Sequence, residues 1–221
     1  MKILIIAPHP DDEVLGVGGT AFKHAQQGDE VTVCVVTRGV EPLFSAETVK
    51  KTRAEAAKAH GLLGIKETVY LDFPSVMLES VPRYELNDAI ARVVARIEPD
   101  EVYIPHGGDM QLDHRLVADA AMVALRPKYK HKVARIYAYE TVSETGWNVP
   151  NTQNTFVPTV YEDISDALTA KLDAMVCYCS QLDAFPGTRS IEALRALAVF
   201  RGTTIGVAAA EAFVLIREIK F

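Results

Sequence analysis

Cysteine is scarce in this chain, with 3 among 221 residues: Cys34, Cys177 and Cys179. So few, in odd number and without a secretion signal, argue against a disulfide framework and agree with a reducing compartment. Cys34 lies inside the apolar run VTVCVV and reads as core. Cys177 and Cys179 form a C-x-C, but helix residues two apart do not share a face, so both read as packing residues rather than a metal pair. Long hydrophobic runs are missing too. The apolar stretch after Lys2 is too short for a signal peptide, and nothing approaches the ~18–20 apolar residues of a membrane span. The expectation is a cytoplasmic protein. Positive charge is also in short supply: 23 Lys+Arg against 29 Asp+Glu leave a net charge of −6. Nucleic acid and anionic membranes are therefore not expected partners. Low-complexity tracts, repeats and linkers are absent. With 49% hydrophobic and 24% charged residues, the chain reads as one domain over residues 1–221 with a substantial core.

What the chain does contain is an alternation of short apolar runs and helical patterns. Strands are predicted over residues 2–7, 30–37, 67–72, 101–105 and 133–139, and helices near 16–27, 46–63, 84–97 and 115–125. Ser45 is a plausible N-cap for the second helix and Gly64 a plausible stop. Several strands are apolar throughout, as in a parallel sheet covered on both faces. The fold class is therefore α/β: a Rossmann-like, doubly wound, mostly parallel sheet over residues 1–140. Residues 141–162 are polar and turn-rich. Helices near 163–180 and 190–200 and an apolar run over 211–219 complete a C-terminal extension, 141–221, expected to pack on the same core.

In strand order 3-2-1-4-5, strand one lies beside strand four, and the crevice opens at their C-terminal ends. The loop after the first strand carries His9, Asp11, Asp12 and Glu13; the stretch after the fourth carries His106, Asp109, Gln111, Asp113 and His114. The two densest groups of histidine and aspartate should face each other. Gly16-x-Gly18-Gly19 lacks the dinucleotide spacing, and the acids at the helix entrance would repel a pyrophosphate. The glycines instead suit close packing of the first helix against the sheet. A divalent cation accounts for the negative charge. His9, Asp12 and His114 supply two imidazoles and a carboxylate, a set that suits zinc with an open position for water. Asp11 is left unligated, where it can take a proton from that water. One acid would suffice to cap the helix, so capping alone does not explain the cluster. Glu13 reads as a capping residue or as support behind the site. His24, His60 and His131 read as solvated or packed bystanders.

The stretch APHPDDEVLGVGG resembles the signature of the PIG-L/LmbE-like de-N-acetylases, zinc enzymes acting on N-acetylglucosamine-type sugars. The resemblance extends through TRGVEP, TRAEAAKAHGLLGI and EPDEVYIPHGGDMQLDH, and in the tail through YETVS, YCSQL, Arg201-Gly202 and AAEAF. It implies His9, Asp12 and His114 as metal ligands and Asp11 as general base, the assignments that the charge argument reaches separately. It further implies Arg53 as a substrate contact and Asp113 as a carboxylate orienting an active-site side chain. Many family members carry an oxyanion-stabilising histidine three residues before the second metal histidine; here that position is Gln111. An amide donates a hydrogen bond but carries no charge. Either Gln111 performs a reduced version of that task, another group such as His106 replaces it, or activity is altered.

The implied reaction is removal of an acetyl group from an N-acetylglucosamine-type sugar or conjugate, with Zn2+ as cofactor and Fe2+ or another divalent metal not separated by the ligand set. The expected partner is a small amino-sugar substrate. Family members can oligomerise, so a homo-oligomer remains open. Competing readings are a metal-dependent amidase or esterase acting on a non-sugar acyl conjugate and a catalytically impaired carbohydrate-binding relative. Loops at 40–45, 73–83 and 143–157 are expected to select the substrate. Trp147 reads equally as a sugar platform or a packing anchor.

Overall fold

The computed structural model describes residues 1–128 and 131–220; Tyr129, Lys130 and Phe221 lie outside the described residues. Its centre is a parallel sheet built from β1 (Lys2–Ala7), β2 (Glu30–Arg38), β3 (Glu67–Pro74), β4 (Glu101–Pro105) and β5 (Arg135–Tyr139). These pair in the order β3-β2-β1-β4-β5, all parallel, as predicted. Strand alternation divides β1 between two cores. Leu4 and Ile6 face one, with Leu86 and Ile90 of α3 (Arg83–Ile97) and Val117 and Ala121 of α4 (Leu112–Ala124). Ile3 and Ile5 face the other, with Val17 and Ala21 of α1 (Asp12–Gln26). A third cluster joins α1 to α2 (Ala46–Leu63) and α5 (Leu168–Cys177) through Leu15, Ala59 and Leu172. Cys34 is fully buried, as expected.

Beyond β5 the sheet becomes mixed. β7 (Ala210–Glu218) pairs antiparallel with β5, and β6 (Val160–Asp163) pairs antiparallel with β7, completing seven strands. The strand at Val160–Asp163 is not predicted, because VYED is a half-polar edge strand that no local pattern distinguishes from loop. That strand delays α5 from the predicted 163 to Leu168, whereas α6 (Ile191–Ile205) runs past its predicted end to Gly206, which adopts φ 77°. Among the described residues, no helix is long and apolar enough to cross a membrane.

Two helices also start earlier than their sequences suggest: α1 at Asp12 rather than 16, and α4 at Leu112 rather than 115. In α1, weak helix formers are retained because space demands them. A Cβ on Gly16 would lie 2.2 Å from Tyr139 Cδ2, and one on Gly19 would lie 2.8 Å from Ile164 Cγ2. The first contact sets α1 close against β5 and bears out the packing role read for the glycines. The second lets the C-terminal extension approach the same helix.

Candidate metal centre

Because β1 and β4 are neighbours, the segments that follow them meet at the C-terminal edge of the sheet. His9 and Asp11 lie in the turn after β1, and Asp12 opens α1. Asp113 and His114 occupy the first turn of α4. One ligand atom from each of His9, Asp12 and His114 lies within 4.8 Å of the others. Asp12 Oδ2 is 3.2 Å from both His9 Nδ1 and His114 Nε2.

The remaining ring nitrogens are fixed by carboxylates. His9 Nε2 pairs with Asp113 Oδ2 at 3.0 Å, and His114 Nδ1 pairs with Asp109 Oδ2 at 2.9 Å. Asp113 also accepts from Val76 N at 2.6 Å, and Asp109 from Thr145 Oγ1 at 2.6 Å. Each imidazole thus has one nitrogen anchored and the other turned toward Asp12, the arrangement that orients histidines on a metal. His114 Nε2 is buried and faces Asp12 Oδ2 at 3.2 Å without forming a well-aligned hydrogen bond, an opening that a cation held by both atoms would fill. Two imidazole nitrogens and one carboxylate fit a divalent metal with an open position.

Burial lowers the His9 pKa, but hydrogen bonds to Asp113 and Asp12 reverse this and push it up to about 9. His114 follows the same pattern: burial is outweighed by the charge of Asp12 and the bond to Asp109, which push it up to about 10. Burial acts to raise Asp12, yet the two imidazoles hold its carboxyl below the usual range.

Asp11 stands outside this group. It is buried, and its backbone adopts φ 118°, a left-handed value that costs a non-glycine residue about 1–3 kcal/mol. Its side chain makes no capping bond to α1, so capping does not explain it. Burial, then the charge of Asp12, pushes its carboxyl well above the usual range. The strained turn is held by Glu13, which accepts from Asp11 N at 3.1 Å and from Tyr178 Oη at 2.6 Å. Glu13 also pairs with His60 Nε2 at 3.0 Å, and His60 Nδ1 is 2.7 Å from Thr68 Oγ1. His60 is therefore packed but no bystander. It belongs to the network under the opening loop, a role decided by α2 crossing behind α1.

The cleft over this group is lined by Gln111, Arg53 and Tyr70, together with Phe44, Ser75, Val76 and Glu144. The loops 40–45, 73–83 and 143–157 therefore each contribute to its wall. Gln111 is the N-cap residue of α4, and its side chain makes no capping hydrogen bond to the helix. Arg53 stacks 4.5 Å over the Tyr70 ring and is paired with Asp72. His106 Nε2 donates to Asn154 O at 3.1 Å, and its ring packs on Phe156; it does not line the cleft. Trp147 is also outside the lining, largely exposed, with Nε1 donating to Val142 O at 3.2 Å. Sequence reasoning missed Gln181 and Arg189, which enter from the connection between α5 and α6. Arg189 Nη1 is 4.0 Å from Asp11 Oδ2, and Nη2 is 4.0 Å from Glu144 Oε1. Gln181 lies in the YCSQL stretch of the resemblance, which assigns it no chemistry, and no motif marks Arg189. Asp109 was in view within the His106–His114 stretch but had no role assigned to it.

The model of the GlcNAc-PI de-N-acetylase family, PIG-L, matches residues 4–125. The uncharacterized deacetylase YaiS of Escherichia coli (strain K12) is 30% identical over 182 residues, covering 78% of this chain and 88% of that protein. The diacetylchitobiose deacetylase of Thermococcus kodakarensis is 29% identical over 196 residues, with 81% and 70% of the two chains covered. Among solved structures, the N,N'-diacetylchitobiose deacetylase from Pyrococcus horikoshii, complexed with an inhibitor, superposes with a TM-score of 0.79 at 25% identity. That match covers 97% of this chain and 83% of the other.

Proposed function

The chain belongs to the PIG-L (GlcNAc-PI de-N-acetylase) family, and on that premise we propose that it is a metal-dependent deacetylase of N-acetylglucosamine-type sugars or their conjugates. The observation carrying this reading is the His9, Asp12 and His114 group, whose buried ligand atoms converge on one point, beside a buried carboxylate that is not part of the group. His9, Asp12 and His114 would hold the metal, with Zn2+ the best match to this donor set. When bound, a divalent cation supplies Lewis acidity and lowers the pKa of water.

The protein's own residues supply the rest. Asp113 and Asp109 orient the two imidazoles. Asp11, fixed by the Glu13 network, takes a proton from the attacking water as its oxygen bonds to the acetamide carbon and the carbonyl π pair moves onto oxygen. When the tetrahedral oxyanion collapses, the C–N bond breaks and Asp11 returns the proton to the leaving nitrogen. The products are acetate and the free amine. Arg53 and Tyr70 form a wall against which a sugar can stack and hydrogen-bond.

The test is acetate release by the metal-loaded protein from a panel of N-acetylglucosamine derivatives, simple acetamides and acetyl esters. Selective turnover of the amino sugars, abolished by chelation and restored by added metal, is the expected result. Equal turnover of simple amides or esters would replace the sugar reading with a general acyl hydrolase. Turnover unaffected by chelation would remove the metal from the mechanism.

A further inference from the structure

Arg189 is the feature of the cleft that the mechanism above leaves unused. Its backbone is well anchored. Ser190, the next residue, is fully buried and N-caps α6 by accepting from Ala193 N at 3.2 Å. Ser190 N in turn donates to Gly187 O at 3.1 Å. The side chain therefore projects from a fixed point over the cleft. Its two terminal nitrogens each stop 4.0 Å from a carboxylate, Asp11 on one side and Glu144 on the other. That is inside ion-pair range and beyond hydrogen-bond distance.

A structural arginine in this same chain looks different. Arg201 closes on Glu140 with two parallel bonds of 2.7 and 2.6 Å. Of the two other arginines that line the cleft, Arg53 is already committed to Asp72 and the Tyr70 ring, and Arg38 is exposed at the end of β2. Arg189 is thus a half-buried guanidinium that makes no hydrogen bond among the described residues, held between two acids without closing on either. Its span is also informative. The backbone oxygen of Glu144 accepts from Met110 N at 3.1 Å, so Glu144 is tied beside Gln111. Arg189 therefore bridges from the base, Asp11, to the segment where Gln111 leaves the site without a cation. An acetamide attacked by water held at Asp11 must lie between these two walls.

We propose that Arg189 is a catalytic residue of this site, donating to the oxyanion of the acetamide as it becomes tetrahedral and supplying the positive charge that Gln111 lacks. The proposal rests on the deacetylase reading. A preorganised donor to such an oxyanion is typically worth about 10²–10³ in kcat. A guanidinium presents a planar fork of donors, whereas a lysine offers a single point charge on a flexible stem.

The test compares the metal-loaded wild type with Arg189→Met and Arg189→Lys. One readout is steady-state deacetylation; the other is the Kd of methylphosphonate, a tetrahedral anionic mimic of the hydrated acetyl group, by calorimetry. Metal content is measured by elemental analysis. Arg189→Met is expected to lower kcat by roughly 10²–10³ with KM changed less than about threefold, and to weaken methylphosphonate at least tenfold. Arg189→Lys should recover part of both, with full metal content throughout. A rise in KM with kcat unchanged would overturn the proposal by making Arg189 a ground-state contact. Near-wild-type behaviour of Arg189→Met in both readouts would overturn it outright. If the wild type turns over no acetylated sugar yet loses methylphosphonate affinity in Arg189→Met, the deacetylase reading fails while the anion contact stands. If wild type neither turns over nor binds the mimic, both fall.

Discussion

Replacing Glu211 by alanine should be among the most damaging single changes outside the cleft. Glu211 and Lys171 form a buried ion pair, each about 4% exposed, with Lys171 Nζ 2.6 Å from Glu211 Oε1. Both partners are also bound to the backbone of α1. Lys171 Nζ donates to Leu15 O at 2.8 Å, while Glu211 accepts from Gly19 N at 2.9 Å and Thr20 N at 2.8 Å. The pair thus fastens α5 and β7 to the helix whose first residue is Asp12. Glu211→Ala removes the counter-charge and two acceptors, and leaves an ammonium in the interior with a single carbonyl. Breaking a buried pair from one side costs about 3–5 kcal/mol. For a chain of this length each kcal/mol moves Tm by roughly 2–4 °C, so a fall of about 6–20 °C is expected. Urea unfolding followed by circular dichroism should show a lower midpoint with m unchanged. In the Glu211→Ala background, adding Lys171→Met should cost little or restore stability, because no charge then remains to be solvated. A loss under about 1 kcal/mol for Glu211→Ala, or strictly additive effects of the two changes, would refute the coupling argued here.

Three further outcomes follow from the site and its packing. Asp11→Asn should keep its full metal content by elemental analysis and lose roughly 10²–10⁴ of its deacetylation rate; near-full activity would remove Asp11 as the base. His114→Ala should lose the metal, and stoichiometric metal in that variant would take His114 out of the ligand set. Gly16→Ala should destabilise by about 1–3 kcal/mol in urea titration, because its Cβ would meet Tyr139 Cδ2 at 2.2 Å. The ~1 kcal/mol gain in helix propensity offsets only the low end of that cost, and at 2.2 Å from a buried ring the contact lies at the high end, so a stabilised variant would contradict the close approach of α1 to β5.

The parts of this protein legible in its sequence are those written in local pattern. β1, β2 and β4 are continuous apolar runs because both faces of the sheet are covered, and their parallel order followed from the intervening helices. That order alone brings the opening loop and the start of α4 together. Where two requirements compete within a few residues, pattern and structure part. Acids, and in α1 glycines, lower helix propensity, so the sequence pattern starts α1 and α4 late, although the acids lie within their first turns and the α1 glycines make room for Tyr139 and Ile164. His60 looked like any helix histidine, because its partners Glu13 and Thr68 lie on other elements.

The central sheet and the candidate donors His9, Asp12 and His114 are written locally, since strand periodicity and the crowding of acids beside histidines are properties of short stretches of chain. What surrounds those donors is a matter of packing between distant elements. Asp109 and Asp113 each found one imidazole, Glu13 found the strained turn at Asp11, and Arg189 reached the cleft from a connection far along the chain. Such pairings depend on where separate elements come to rest against one another. Burial and charge act over a few ångströms of space, whatever the separation in sequence.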